Sequence, residues 1–231
     1  MCPSCLLELA LIPPADSSCD DADDDLLAPE TAYRVVTILG ADPTGTTYLA
    51  EQDRTRRLVT LHVVALQPPI DEARRRAFRE RVASLGRLSH PAIQRVIEAR
   101  RTASGDGCVV APYVNGPQLS RYCQSPRADA ASLARIFSAV CDAIAGAHAQ
   151  GVCHGRLGPD MVIVRPVGDD PAAPIVLGFS VFPADPPPFD ADIRGLETVA
   201  RAMGWTGKAP PSWPSIGALR DEVCGFWRGL V

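Results

Sequence analysis

Residues 154–164, HGRLGPDMVIV, come nearest in this chain to a catalytic loop. His154 opens the stretch, Leu157 and Pro159 hold its middle, and Met161 to Val164 form an apolar, strand-like run. The places where a carboxylate, an ammonium and an amide would supply chemistry are taken by Arg156, Gly158 and Met161. A second group with chemical potential lies at the N-terminus. Cys2 and Cys5 have the spacing of a zinc knuckle, and Cys19 could be a third ligand. A closed structural zinc site takes four ligands, and no second Cys-x-x-C follows. Asp16, Asp20 or a partner would have to complete it, the alternative being unliganded thiols. The basic run RRRAFRER at 74–81 has alanine and phenylalanine interleaved at helical spacing, which reads as a solvated helix face.

The elements that would position these residues belong to a chain of 231 residues, enough for one large domain or two small ones. With 46% hydrophobic and 22% charged residues, the composition is that of a globular protein. A net charge of −4 gives no global attraction to nucleic acid or to an anionic membrane. The cysteines at 108, 123, 141, 153 and 224 are scattered through apolar or mixed runs, as expected for buried thiols in a reducing compartment. No apolar run is read as long enough to cross a membrane. The N-terminus lacks the basic lead of a secretory signal, so a cytoplasmic location is expected.

Along the chain, residues 1–30 read as a tail and linker, because six aspartates between Asp16 and Asp25 repel one another. Residues 31–231 read as a domain, with a first lobe over 31–114 and a second over 115–231. YRVVTILG, TTYLAEQ and RRLVTLHVVAL are β-branched and aromatic and predict three strands. A helix follows over DEARRRAFRERVASLGRL, with Ala73, Ala77, Val82, Leu85 and Leu88 as its apolar positions. PAIQRVIEARR and GCVVAPYV predict two further strands, which makes an α+β unit with a mostly antiparallel sheet. A long helix with the stripe Leu133, Ile136, Val140 and Ile144 ends on Gly151. Short strands at MVIV and PIVLGF, a helix from Asp192 to about Met203 and a last helix after PPSWP complete the second lobe. Trp205, Trp213 and Trp227 are expected in its core, and His90 and His148 as packing and hydrogen-bonding residues.

In their order and spacing these segments resemble the bacterial Ser/Thr protein kinases over roughly residues 30–205. LGADPTGTTYLA is similar to the family's glycine-rich loop. It keeps Gly40 and Gly45, but Asp42 stands at the middle glycine, and Pro43 removes an amide donor. His62 follows Gly40 by 22 residues and stands where the family has its phosphate-binding lysine. The helix register puts Arg81 at the glutamate that pairs with that lysine, with Glu80 one residue away as the alternative. VVAPYVNG resembles the interlobe hinge, with Ala111 at the gatekeeper and Tyr113 and Val114 at the adenine edge. HGRLGPDMVIV looks like the catalytic loop His-Arg-Asp-Leu-Lys-Pro-x-Asn, with Arg156 for the catalytic aspartate, Gly158 for the lysine and Met161 for the metal-binding asparagine. LGFSVF looks like the Asp-Phe-Gly segment, with Gly178 for the aspartate, Phe179 retained and Ser180 for the glycine.

The resemblance implies a two-lobed kinase-like fold whose packing positions survive and whose chemical positions do not. Neither Gly178 nor Met161 offers Mg²⁺ a hard oxygen, and the general base is absent. The activation segment is short, with 14 residues from Gly178 to Asp192, and no Ala-Pro-Glu is present. The implied protein is a pseudokinase that works by binding a protein partner. It would bind ATP or ADP weakly without Mg²⁺, if at all, and His62, Arg81 and Arg156 are the cations that could hold such an anion. The alternatives are a weakly active ATP-binding Ser/Thr kinase and a truncated remnant with no function.

Overall fold

The computed structural model describes residues 33–42, 44–66, 72–102, 105–167, 170–182 and 189–229. The N-terminal tail with Cys2, Cys5 and Cys19 lies outside the described residues. The chain divides into two compact units, one holding residues up to 87 and 95–113, the other 88–94 and the chain from 114 onward.

The first unit is built on one antiparallel sheet. Its strands are β1 (Tyr33–Asp42), β2 (Gly45–Gln52), β3 (Leu58–Val64), β4 (Glu98–Arg101) and β5 (Gly107–Pro112), in the order β1-β2-β3-β5-β4. The period-two alternation of β3 sends Val59 and Leu61 into the core and leaves Thr60 and His62 half-buried on the other face. Tyr33, Ala50, Cys108 and Val110 complete that core. The sheet curls, so that Tyr33 on one edge strand donates its hydroxyl to Glu98 on the other at 3.0 Å. Arg100 lies 4.7 Å over the same ring. Two register irregularities in β1, at Val35/Thr37 and Ile38/Gly40, bend the strand as it enters the glycine-containing turn.

Helix α1 (Glu72–Arg87) forms where a helix was expected, and it buries Leu85 and Leu88 of the expected stripe but not its alanines. Ala73 and Ala77 are exposed and Val82 is half-buried, while Phe78, Arg81, Leu85 and the following Leu88 are buried. The small alanines contribute little to burial, and Phe78 sets the inward face. A Cβ on Gly107 would lie 2.7 Å from the Phe78 ring, so the helix seats on the start of β5 at van der Waals distance. The strand expected over 91–101 is also shorter than the sequence pattern suggests. Only Glu98–Arg101 pairs with β5, and residues 91–93 form a turn bonded to the second unit's own strand at Val176.

In the second unit, helix α2 (Leu119–Tyr122) is a single turn and α3 (Ala130–His148) is the central helix. Asp129 caps α3 by accepting from the Ser132 amide at 2.7 Å. The stripe Leu133, Ile136, Val140 and Ile144 is buried as expected. By length and composition α3 would also pass for a membrane span, although its apolar run is broken by Arg135 and Asp142. Half of it is buried against its own unit, which identifies it as a core helix. The hairpin of β6 (Val162–Val167) and β7 (Asp170–Val176) and the helices α4 (Phe189–Ala202) and α5 (Ile216–Arg228) complete the unit. Phe137 of α3 meets Trp227 of α5 edge to face at 5.8 Å. Trp205 and Trp227 are core residues; Trp213 is only half-buried, its indole N–H donating to Glu197 at 3.3 Å. A partly solvated position suits that polar edge better than the interior does.

Candidate functional site

In the second unit the segment 154–161 is held from below by one buried carboxylate. Asp192, on the first turns of α4, is fully buried. It accepts the backbone amides of His154 at 2.6 Å and Gly155 at 2.8 Å, and the His148 Nε2 lies 2.8 Å from the same carboxylate. Burial alone would raise the Asp192 pKa. The hydrogen bonds from His148, His154 and Gly155 outweigh it and hold the carboxyl below its ordinary value. His154 is itself fully buried, its Nε2 set 2.8 Å from the Leu177 carbonyl and its Nδ1 accepting the Arg156 amide at 3.3 Å. Both ring nitrogens are thus engaged within the chain, and neither is left to take a proton from a substrate. The Phe179 ring lies tilted against the His154 ring, centroids 4.6 Å apart, and the Ser180 amide bonds the His154 carbonyl at 2.9 Å. A Cβ on Gly195 would lie 2.7 Å from the Leu157 carbonyl, so α4 presses directly on the loop. His148, expected as a packing and hydrogen-bonding residue, takes that role through a partner 44 residues away, Asp192.

On this frame sit the replaced positions. Arg156 is exposed, and Gly158 occupies an extended conformation next to Asp160. Met161 and Gly178 are neighbours. The Met161 carbonyl accepts the Leu177 amide at 2.8 Å, and the Met161 sulfur lies 3.0 Å from where a Gly178 Cβ would stand. A side chain at 178 would therefore meet the Met161 thioether, a soft and weak acceptor, where the resemblance implies ligands for Mg²⁺. The residues present do not fit a magnesium ion, which requires hard oxygen ligands in octahedral array. Gly178 also has φ +70°, the left-handed region that favours glycine.

In the first unit, β1 and β2 meet at the pair Asp42–Gly45. The Asp42 Oδ1 accepts the Thr44 amide at 2.7 Å, the Gly45 amide at 3.3 Å and the Thr44 hydroxyl. His62 stands directly opposite Thr47 in the β2–β3 ladder; its Nδ1 bonds the Thr47 hydroxyl at 2.9 Å, and its Nε2 lies 3.5 Å from the Thr44 hydroxyl. Thr44 and Thr47 were not singled out from the sequence. Thr47 faces His62 through the β2–β3 register, which is a separate strand pairing from the β1–β2 hairpin and is fixed only when the sheet forms. Gly45 is required for close approach, since a Cβ there would stand 2.1 Å from the Val63 carbonyl oxygen, whereas a Cβ on Gly40 would meet nothing within 4 Å.

On α1 the inward residue is Arg81, with Phe78 and Leu85 on the same face. Glu80 is exposed and pairs with Arg76 at 2.9 Å. Ala111 is buried on β5, its carbonyl accepting the Thr60 hydroxyl at 3.3 Å, and the Tyr113 amide bonds the Leu58 carbonyl at 3.1 Å. Val114 belongs to the second unit and is half-buried. His62 and Arg81 lie in the first unit and Arg156 in the second. Among the described residues no group of three or more His, Cys, Asp or Glu is placed to hold a metal. The five described cysteines are free thiols. Burial pushes Cys108 up to about 11 and raises Cys123, Cys141 and Cys224, which makes them poor nucleophiles.

No protein-family model matches the chain. It is 27% identical to the serine/threonine-protein kinase pkn3 of Myxococcus xanthus over 150 residues, covering 64% of this chain and 27% of that protein. It is 26% identical to the serine/threonine-protein kinase Pkn1 of the same organism over 141 residues, covering 61% and 20%. The chain thus spans about a quarter of the length of these curated relatives. Among solved structures it resembles the kinase domain of Mycobacterium tuberculosis PknI, at TM-score 0.57 and 22% identity over 83% of each chain. A second structure of that domain gives 0.59 and 19% over 85% of this chain and 96% of that one. The antiparallel sheet with its helix, followed by a mainly helical unit, is a protein-kinase-like fold with sequence relatives among bacterial Ser/Thr protein kinases.

Proposed function

We propose that this chain is a pseudokinase, a kinase-like fold that acts as a binding or regulatory module for a protein partner without transferring phosphate. The observation that carries this reading is the Met161 sulfur packed over Gly178, at the two positions where the fold's relatives would place oxygen ligands for Mg²⁺. Phosphoryl transfer depends almost entirely on positioning and on the electrostatic work of metal ions and cations. A thioether over a glycine does none of that work, and Arg156 offers no base. The frame of buried His154 and Asp192 with half-buried Phe179 is in place, so what survives is shape. A retained shape without its chemistry suits a docking role.

The test is thermal unfolding of the full chain with ATP, ADP or AMP, each with Mg²⁺ or with EDTA, beside a radiolabelled phosphate-transfer assay. A ligand that binds only the folded state raises apparent stability. No magnesium-dependent stabilisation and no transfer are expected. A magnesium-dependent rise of several degrees with ATP, or transfer to any peptide, overturns the reading.

A further inference from the structure

Where β1 joins β2, the Thr44 and Gly45 amides converge on one carboxylate oxygen. Asp42 Oδ1 accepts both the Thr44 and the Gly45 amide, at 2.7 and 3.3 Å, and the Thr44 hydroxyl as well. The Thr44 hydroxyl lies 3.5 Å from His62 Nε2, and Thr47 bonds the other ring nitrogen at 2.9 Å. A carboxylate oxygen and a phosphate oxygen ask for the same partners, short N–H and O–H donors converging on negative charge. We propose that Asp42 is a built-in competitor for phosphate: its carboxylate occupies the donors of the 42–45 turn and closes that turn to nucleotide polyphosphate. This deepens the pseudokinase reading and rests on it. A module without metal–nucleotide chemistry keeps one ligand-free shape if the turn supplies its own anion.

Two explanations compete with occupancy. Asp42 could act only by repelling other anions, or it could serve the turn alone. Replacing Asp42 with asparagine removes the charge but keeps a side-chain oxygen able to accept the same amides. Replacing it with alanine removes charge and acceptor together. The experiment titrates full-length wild type, Asp42→Asn and Asp42→Ala with inorganic tripolyphosphate in EDTA, by calorimetry and by amide NMR of Thr44 and Gly45. Occupancy predicts that Asp42→Ala binds at least about tenfold tighter than wild type, the equivalent of one recovered hydrogen bond. The Thr44 and Gly45 amides should shift on binding, and Asp42→Asn should stay near wild type. A gain in Asp42→Asn equal to that in Asp42→Ala would overturn the proposal in favour of charge alone. No gain in Asp42→Ala would overturn it in favour of a turn-stabilising role. If Asp42→Ala does not fold, Asp42→Gly, which also removes charge and acceptor and suits a turn, is titrated in its place with the same outcomes. Because tripolyphosphate is used without metal, a failure here is separate from a failure of the pseudokinase reading, which is judged by magnesium-dependent ATP binding.

Discussion

At residue scale, Gly178 and Met161 bring a glycine and a thioether together where the kinase resemblance implies metal ligands. An aspartate at 178 would have to adopt φ near +70° and place its Cβ 3.0 Å from the Met161 sulfur. Gly178→Asp alone is expected to cost about 1–2 kcal/mol from the left-handed backbone, plus a steric share. Adding Met161→Asn should return that share, so denaturant unfolding of both singles and the double will show non-additivity. Strict additivity would mean that the two side chains do not meet. Asp192 works in the opposite sense, as a retained charge. Its folded pKa is depressed, so its contribution to stability is whole above the unfolded carboxyl value of about 3.9 and is lost as pH falls through the lower folded value. Asp192→Asn should cost on the order of 3 kcal/mol at neutral pH, because three donors lose a charged acceptor. It should also flatten the acid limb of the stability–pH curve, which thermal melts across that range would measure. An unchanged acid limb would place the dependence on other carboxylates.

The two glycines of the β1–β2 hairpin have separate reasons to exist, which only the pairing of whole elements reveals. Gly45 lies against the backbone of β3, where a Cβ would stand 2.1 Å from the Val63 carbonyl oxygen, while Gly40 faces open space. Gly45→Ala must therefore displace the β2–β3 ladder and should destabilise the fold by about 1–3 kcal/mol or more. Gly40→Ala should change stability by less than about 0.5 kcal/mol. Melting temperatures of the two variants will separate them, and equal effects would mean that the glycines serve one common purpose. The helix α1 teaches a related lesson. Its existence and the inward Leu85 and Leu88 were legible from periodicity, but Ala73 and Ala77 face out, because alanine at helical spacing marks either face of a helix equally well. Phe78 and the aliphatic stem of Arg81 decide the face through the surface they bury.

For the whole molecule, the question is whether restored chemistry would restore activity. His62→Lys, Arg81→Glu, Arg156→Asp, Gly158→Lys, Met161→Asn and Gly178→Asp together would return the groups that the resemblance implies were lost. With Asp42→Ala added to open the 42–45 turn, the product is expected to gain magnesium-dependent ATP stabilisation without phosphorylating peptides efficiently. Only 14 residues run from Gly178 to Asp192, little chain from which to build a platform for a substrate. A misplaced acceptor forfeits the proximity and orientation share of the rate. The unmodified Arg81 is moreover buried on α1 beside Phe78, so a glutamate there bears on folding as well as on chemistry. A radiolabelled transfer assay on a peptide library tests this, and robust phosphorylation would show the 178–192 segment to be platform enough.

The sequence by itself determined the order of the elements, the antiparallel sheet with one helix, the long central helix and the residue types at the replaced positions. Those are properties of local periodicity, turn chemistry and spacing, which act between residues near in the chain. It also began a helix at Asp192, which the structure extends back to Phe189. Only the tertiary structure decided what the replacements touch: that the Met161 sulfur fills the space over Gly178, that Asp42 bonds the amides of its own turn and that Asp192 holds His148, His154 and Gly155 at once. It likewise decided that Arg81 faces inward while Glu80 pairs with Arg76 in solvent. The physical reason is that these contacts depend on the phase of a helix and the register of a hairpin. A shift of one residue turns a helical side chain by about 100° and moves a strand side chain to the other face, and that phase is set by what each element packs against.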